Sequence, residues 1–108
     1  LLEHVRATRP WLPPQMAQRL VRNYGTRAET LLGDARALDG LGQHFGADLY
    51  QAEVDYLRTH EWARTAEDVL WRRSKLGLRI DAAGQARLAD YLQARTEAAP
   101  AATERLPV

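Results

Sequence analysis

Residues 49–78 read LYQAEVDYLRTHEWARTAEDVLWRRSKLGL, and their pattern decides the fold class. Leu49, Tyr50, Val54 and Leu57 recur at roughly helical spacing and form the apolar stripe of a helix from Ala47 or Asp48 to His60. Thr65-Ala66-Glu67-Asp68 has the form of a capping box with aspartate in the usual glutamate position. The helix it starts is expected over Ala66 to Lys75, burying Val69, Leu70 and part of the aliphatic stem of Arg73, with Gly77 closing it. Two packed helices of a small all-α domain follow from this stretch. Its spacing carries no chemistry.

Upstream, Leu1 to Thr8 is weakly periodic, with Leu2 and Val5 on one side, and it breaks at Arg9-Pro10. Residues 1–13 are therefore expected to be a linker or N-terminal segment. Pro13-Pro14 suits a first helical turn, so a helix is predicted from about Pro14 to Tyr24. Met16, Leu20 and Val21 should face inward, with Gln15, Gln18, Arg19 and Arg22 outward; Gly25 is the left-handed stop. Thr26 and Glu29 form a capping box for a short helix carrying Leu31 and Leu32, which ends near Gly33. Residues 34–46, with three glycines and two aspartates, form a loop with at most one irregular turn at Leu38 to Leu41.

Asp81 is a good N-cap for a final helix to about Arg95, with Leu88, Tyr91 and Leu92 facing in. From Glu97 the Ala/Pro-rich text loses periodicity, and residues 97–108 are expected to be a flexible tail. No strand is expected. The predicted fold is all-α, a small bundle of about five helices over residues 14–96 with a disordered C-terminal tail.

The 108 residues suit one domain with a modest core. A net charge of +1 lacks the basic footprint of a nucleic-acid binder, and no nucleic-acid partner is expected. Cysteine is absent, so disulfides and thiolate chemistry are excluded. No apolar run approaches the ~18 residues that span a bilayer. Leu1 to Arg9 is charged and there is no initiating methionine, so the chain is expected to be part of something longer, without a signal peptide.

Site chemistry is sparse. Gly40, Gly42 and Gly46 are spaced GxGxxxG without the strand and βαβ context of a dinucleotide site. His60-Glu61 lacks the second histidine of a zinc-protease helix, because Arg64 stands there. His4, His44 and His60 fall on different elements, and Ser74, the sole serine, has no nucleophile-elbow context. No metal site and no catalytic residue is expected. Arg72, Arg73 and Lys75 form the tightest basic cluster, which either meets an acidic partner or complements the helix C-terminus and pairs with Glu61, Glu67 or Asp68. Glu53 and Glu61 are expected to be structural partners of these arginines. Trp11, Trp62 and Trp71 are expected to be core or interface anchors.

Tyr24-Gly25-Thr26-Arg27, Leu31-Leu32-Gly33, residues 50–57 (YQAEVDYL), His60-Glu61-Trp62-Ala63, residues 66–70 (AEDVL) and residues 72–78 (RRSKLGL) together resemble one family. It is the C-terminal helical domain of FAD-dependent glycerol-3-phosphate dehydrogenases, shared with α-glycerophosphate oxidases. The resemblance covers about Pro14 to Gln93; Ser74 departs from the threonine more usual there. It implies that FAD and substrate are held by an upstream domain absent from this chain, so no catalytic or cofactor-binding residue carries over. It further implies that the whole enzyme oxidises glycerol-3-phosphate to dihydroxyacetone phosphate. Electrons then pass to quinone at the cytoplasmic face of a bacterial inner membrane. The domain itself would be an inactive cap packed on the flavin domain, with Trp62, Trp71, Arg72, Arg73 and Lys75 as candidate contacts; homo-oligomer contacts are a further role. A stand-alone helical adaptor is the rival class. A helix-turn-helix binder is a weaker one, because Glu67 and Asp68 would meet phosphates with the wrong sign.

Overall fold

A computed structural model of the chain describes residues 1–74 and 76–104, excepting the side chains at 72, 73 and 96–104. Helix α1 covers Leu2–Thr8, α2 Pro14–Tyr24, α3 Arg27–Leu32, α4 Gln51–His60 and α5 Ala82–Glu104. The all-α expectation holds: helices dominate, and a single two-stranded hairpin is added.

Packing begins ahead of the boundary expected at Pro14. Val5 of α1 is fully buried, Leu12 joins the same core, and α1 lies against α2. Proline opens α2 because the first helical N–H has no intrahelical partner to lose. Gly25 and Gly33 turn the chain out of α2 and α3 at positive φ (+60 and +58), but with ψ −135 and −138 in place of the left-handed helical stop expected at Gly25. The capping box at Thr26 does not form. Thr26 already has helical dihedrals (φ −62, ψ −21), so its hydroxyl caps nothing, and Glu29 Oε2 lies 3.4 Å from His4 Nε2 instead.

The loop after α3 holds the irregular turn expected near residue 38, a 3-10 turn over Leu38–Leu41. Beyond it, strands β1 (His44–Gly46) and β2 (Leu49–Tyr50) pair antiparallel, His44 opposite Tyr50 and Gly46 opposite Leu49. This corrects the expectation of no strand, and it moves the start of the central helix from Ala47 or Asp48 to Gln51. Gly46 at φ +138 and Ala47 at φ +47 reverse the chain, and Tyr50 remains extended. The turn holds no Asn-Gly or Asp-Gly pair, the strongest short-range hairpin signal, so the sequence of Leu49 and Tyr50 carries no local mark of a strand. The hairpin is kept by its own burial: Phe45 and Leu49 are both fully enclosed.

Helix α4 is the hub, packing against α3, the 3-10 turn, β2 and the segment that follows. Val54, Tyr56 and Leu57 are its buried apolar residues. The box at Thr65 forms as expected: Thr65 Oγ1 accepts from the Asp68 amide (3.1 Å), and Asp68 Oδ2 accepts from the amides of Arg64 (3.1 Å) and Thr65 (3.4 Å). What it starts becomes a π-helix over Asp68–Arg73. The Ser74 amide donates to Val69 O, five residues back, at 2.8 Å, and Ser74 Oγ donates to the same oxygen at 2.7 Å. A second 3-10 turn spans Gly77–Arg79.

Asp81 caps α5, accepting from the Gly84 amide at 2.8 Å. Leu88 and Leu92 are buried and Tyr91 half-buried, as expected. The helical backbone runs on to Glu104, past Arg95 and into the region expected to fray; residues 105–108 of the expected tail lie outside the described residues.

Candidate functional site

Among the described residues, a buried charge cluster joins α2, α4 and the hairpin turn. Arg19 lies one turn from Met16 and beside Leu20, on the buried face of α2. Its Nη1 and Nη2 donate to the two oxygens of Glu53 at 2.8 and 2.6 Å, a bidentate pair. Nε donates to Asp48 Oδ1 (3.0 Å) and Nη2 also to Asp48 O (3.2 Å). Tyr24 Oη donates to Glu53 Oε2 at 2.6 Å.

Glu53 is fully buried and Arg19 is 7% exposed, so the outward placement expected for Arg19 is corrected. Glu53 pairs with Arg19, and its expected pairing with Arg72 or Arg73 concerns side chains outside the described residues. The spacing Met16, Arg19, Leu20 was a legible signal, since positions three and four apart share a face. A charged residue there reads as surface until its partner is known, and the partner lies thirty-four positions away. Among the described residues, no buried side-chain nitrogen or oxygen lacks a hydrogen-bond partner. With both Glu53 oxygens occupied, the cluster holds the elements together and offers no free base.

Burial works against the Arg19 charge, but hydrogen bonding and the charges of Glu53 and Asp48 outweigh it and raise its pKa above the arginine range. The Tyr24 hydroxyl is likewise pushed up, first by burial and then by the Glu53 carboxylate. A raised pKa means that the folded state holds its proton after the unfolded chain has lost it. The Tyr24 contribution is therefore complete below about pH 10, the free tyrosine value, and is lost as pH rises above it. Urea unfolding of Tyr24→Phe should show a shallower alkaline decline than the parent, with a cost of about 1–2 kcal/mol at neutral pH from the lost bond. Parallel alkaline limbs would contradict this assignment.

A second tie joins α4 to α5: Tyr91 Oη donates to Asp55 Oδ1, and the Arg95 guanidinium sits 4.7 Å over the Tyr91 ring. At the C-terminal end of α4, the His60 ring stacks on Tyr56 with centroids 4.5 Å apart. Arg27 Nη1, from α3, donates to Tyr56 Oη at 3.4 Å.

The sequence-predicted contact residues are brought together only in part. Trp62 follows α4 and is 75% exposed. Trp71 is half-exposed and lies over Gly77, where a Cβ would fall 2.4 Å from the indole. Lys75 and the side chains of Arg72 and Arg73 lie outside the described residues. Trp11 is half-buried against the core. The three histidines stay apart: His4 meets Glu29, His44 stacks on Tyr50 and His60 on Tyr56. Among the described residues no histidine and carboxylate grouping could hold a metal, and no helix is long and apolar enough to cross a membrane.

The glycines of the GxGxxxG spacing pack against protein: a Cβ at Gly42 would fall 2.7 Å from Gln51 Oε1, and one at Gly46 would fall 3.1 Å from Ile80 Cγ2. They make room for the first turn of α4 and for the segment leading into α5.

Among the described residues the domain is mostly helical, its buried side-chain polar atoms are hydrogen-bonded, and Trp62 and Trp71 are exposed. Residues 3–97 match the family described as the C-terminal domain of alpha-glycerophosphate oxidase, and the chain belongs to that family. It is 50% identical over 93 residues to a glycerol-3-phosphate dehydrogenase of Pseudomonas aeruginosa, covering 86% of this chain and 18% of that protein. An aerobic glycerol-3-phosphate dehydrogenase of Escherichia coli is 41% identical over 93 residues, again 86% of this chain, and 19% of its own length. A D-erythritol 1-phosphate dehydrogenase of Brucella abortus is 42% identical over 87 residues, 81% of this chain and 17% of its own. The chain thus spans less than a fifth of the curated relatives it matches.

Proposed function

We propose that this chain is the C-terminal domain of an FAD-dependent glycerol-3-phosphate dehydrogenase, inactive by itself and packed on an upstream flavin domain. The observation that carries this is the 50% identity to the Pseudomonas enzyme, confined to a segment making up 18% of it. In the whole protein the C2 hydroxyl of glycerol-3-phosphate would lose its proton and the C2 carbon its hydride, leaving dihydroxyacetone phosphate. FAD held by the upstream domain would take up that hydride. The two electrons then pass to quinone, at the cytoplasmic face of a bacterial inner membrane.

A second substrate reading, another polyol phosphate, has support from the 42% identity to the erythritol 1-phosphate enzyme. The candidate contacts of the domain with its flavin partner are Trp62, Trp71, Arg72, Arg73 and Lys75. Purifying the native protein with an antibody to this domain tests the proposal. The expected product has several times the 12.2 kDa mass of this chain and a flavin absorption bleached by glycerol-3-phosphate. Bleaching by erythritol 1-phosphate alone would favour the second substrate. A colourless protein of about this size would make the chain a stand-alone adaptor.

A further inference from the structure

Trp62 stands where the backbone would accept glycine with less strain. Helix α4 ends as the amides of Glu61 and Ala63 both donate to Leu57 O at 3.0 Å, which tucks Ala63 into the core at 4% exposure. Reaching back this way puts residue 62 at φ +63, the left-handed region that glycine enters freely. For a bulky side chain that conformation is an outlier, costly wherever packing does not compensate. Packing does not compensate here, since three quarters of the Trp62 surface faces solvent. Trp71 differs, because it is half-buried and its indole lies against Gly77 within the domain.

We propose that Trp62 is the anchor by which this domain docks on the domain upstream of it in the same polypeptide. This rests on the reading of the chain as a C-terminal domain. Relatives extend far beyond the matched segment, which is 18% of the Pseudomonas protein, so a covalently linked partner of several times this size is available to cover the ring. Tryptophan is the residue type most enriched among interface hot spots. Beside the ring in sequence stand Arg64 and His60, both exposed, and the partly buried Glu61, a surround of mixed charge. The complementary surface is an apolar socket that encloses the indole.

Trp62→Gly in the full-length protein tests this, because glycine relieves the backbone while deleting the ring. Hydrogen exchange should show residues 61–64 opening on the order of thirty-fold more readily, the loss expected of a hot spot. Protection of the α2 and α4 core should stay equal or rise. Unchanged exchange at 61–64 would overturn the anchor. A fall in core protection would also overturn it, by making Trp62 structural. Loss of binding to anionic phospholipid vesicles with docking intact would assign the ring to a membrane surface instead, and a halved native mass with docking intact would assign it to a second copy. Flavin content and glycerol-3-phosphate oxidation are recorded on the parent protein. Their absence defeats the proposed function, whereas the exchange result speaks to Trp62 alone.

Discussion

Replacing Arg19 with alanine should destabilise the domain by about 3–5 kcal/mol, the cost of stranding a buried charge. Glu53 is fully enclosed, and without the guanidinium fork its carboxylate retains one donor among the described residues, Tyr24 Oη. Asp48 suffers less because its side chain is 21% exposed and water can replace the lost bond. Small domains are stable by roughly 5–15 kcal/mol, so the variant should unfold at much lower urea or not fold at 37 °C. Arg19→Lys should recover little, since a single ammonium cannot bond both Glu53 oxygens and Asp48 in one plane. The pair Arg19→Met with Glu53→Leu separates stranded charge from lost attraction. It should be more stable than Arg19→Ala alone, because replacing both ions with apolar groups removes the desolvation penalty. A loss under about 1 kcal/mol for Arg19→Ala would mean that the cluster is hydrated in solution.

The same cluster marks where sequence reading stops. Local rules did well: proline at the start of α2, glycine after α2 and α3, the Thr65–Asp68 box and the Asp81 cap all form as their side-chain chemistry requires. Each depends on residues at most four apart. The failures are non-local or compete with a second local option. Arg19 needed a partner on another element, and Thr26 lost its cap once its own backbone became helical. Leu49 and Tyr50 fit a helical stripe and a strand equally well, and burial of Phe45 and Leu49 decided for the hairpin. At the candidate contact surface, exposure of Trp62 and Trp71 was within reach of sequence reasoning, because neither sits on an apolar stripe. The left-handed backbone of Trp62 was not. Tryptophan carries no signal for a position where glycine is the usual residue.

Gly84 makes the opposite case, a helical glycine that should resist the most conservative change. In the interior of a helix, glycine to alanine ordinarily stabilises by up to about 1 kcal/mol. Here a Cβ would fall 2.2 Å from the carbonyl oxygen of Phe45 and 2.7 Å from Ile80 Cγ2. The first of these is backbone and cannot swing aside as a side-chain tip would. That carbonyl also accepts from Arg87 Nη2 at 3.3 Å, and its residue is fully buried, so the hairpin has nowhere to retreat. Gly84→Ala should therefore lose about 2–3 kcal/mol net, the range for overpacking a closed contact. Gly25→Ala provides the comparison: it is strained at φ +60 but has open space around it, and should cost only about 1–2 kcal/mol. Urea midpoints of the two variants give the ranking. If Gly84→Ala proved neutral or stabilising, α5 would have to stand away from β1, and the close seating of helix on hairpin would be wrong.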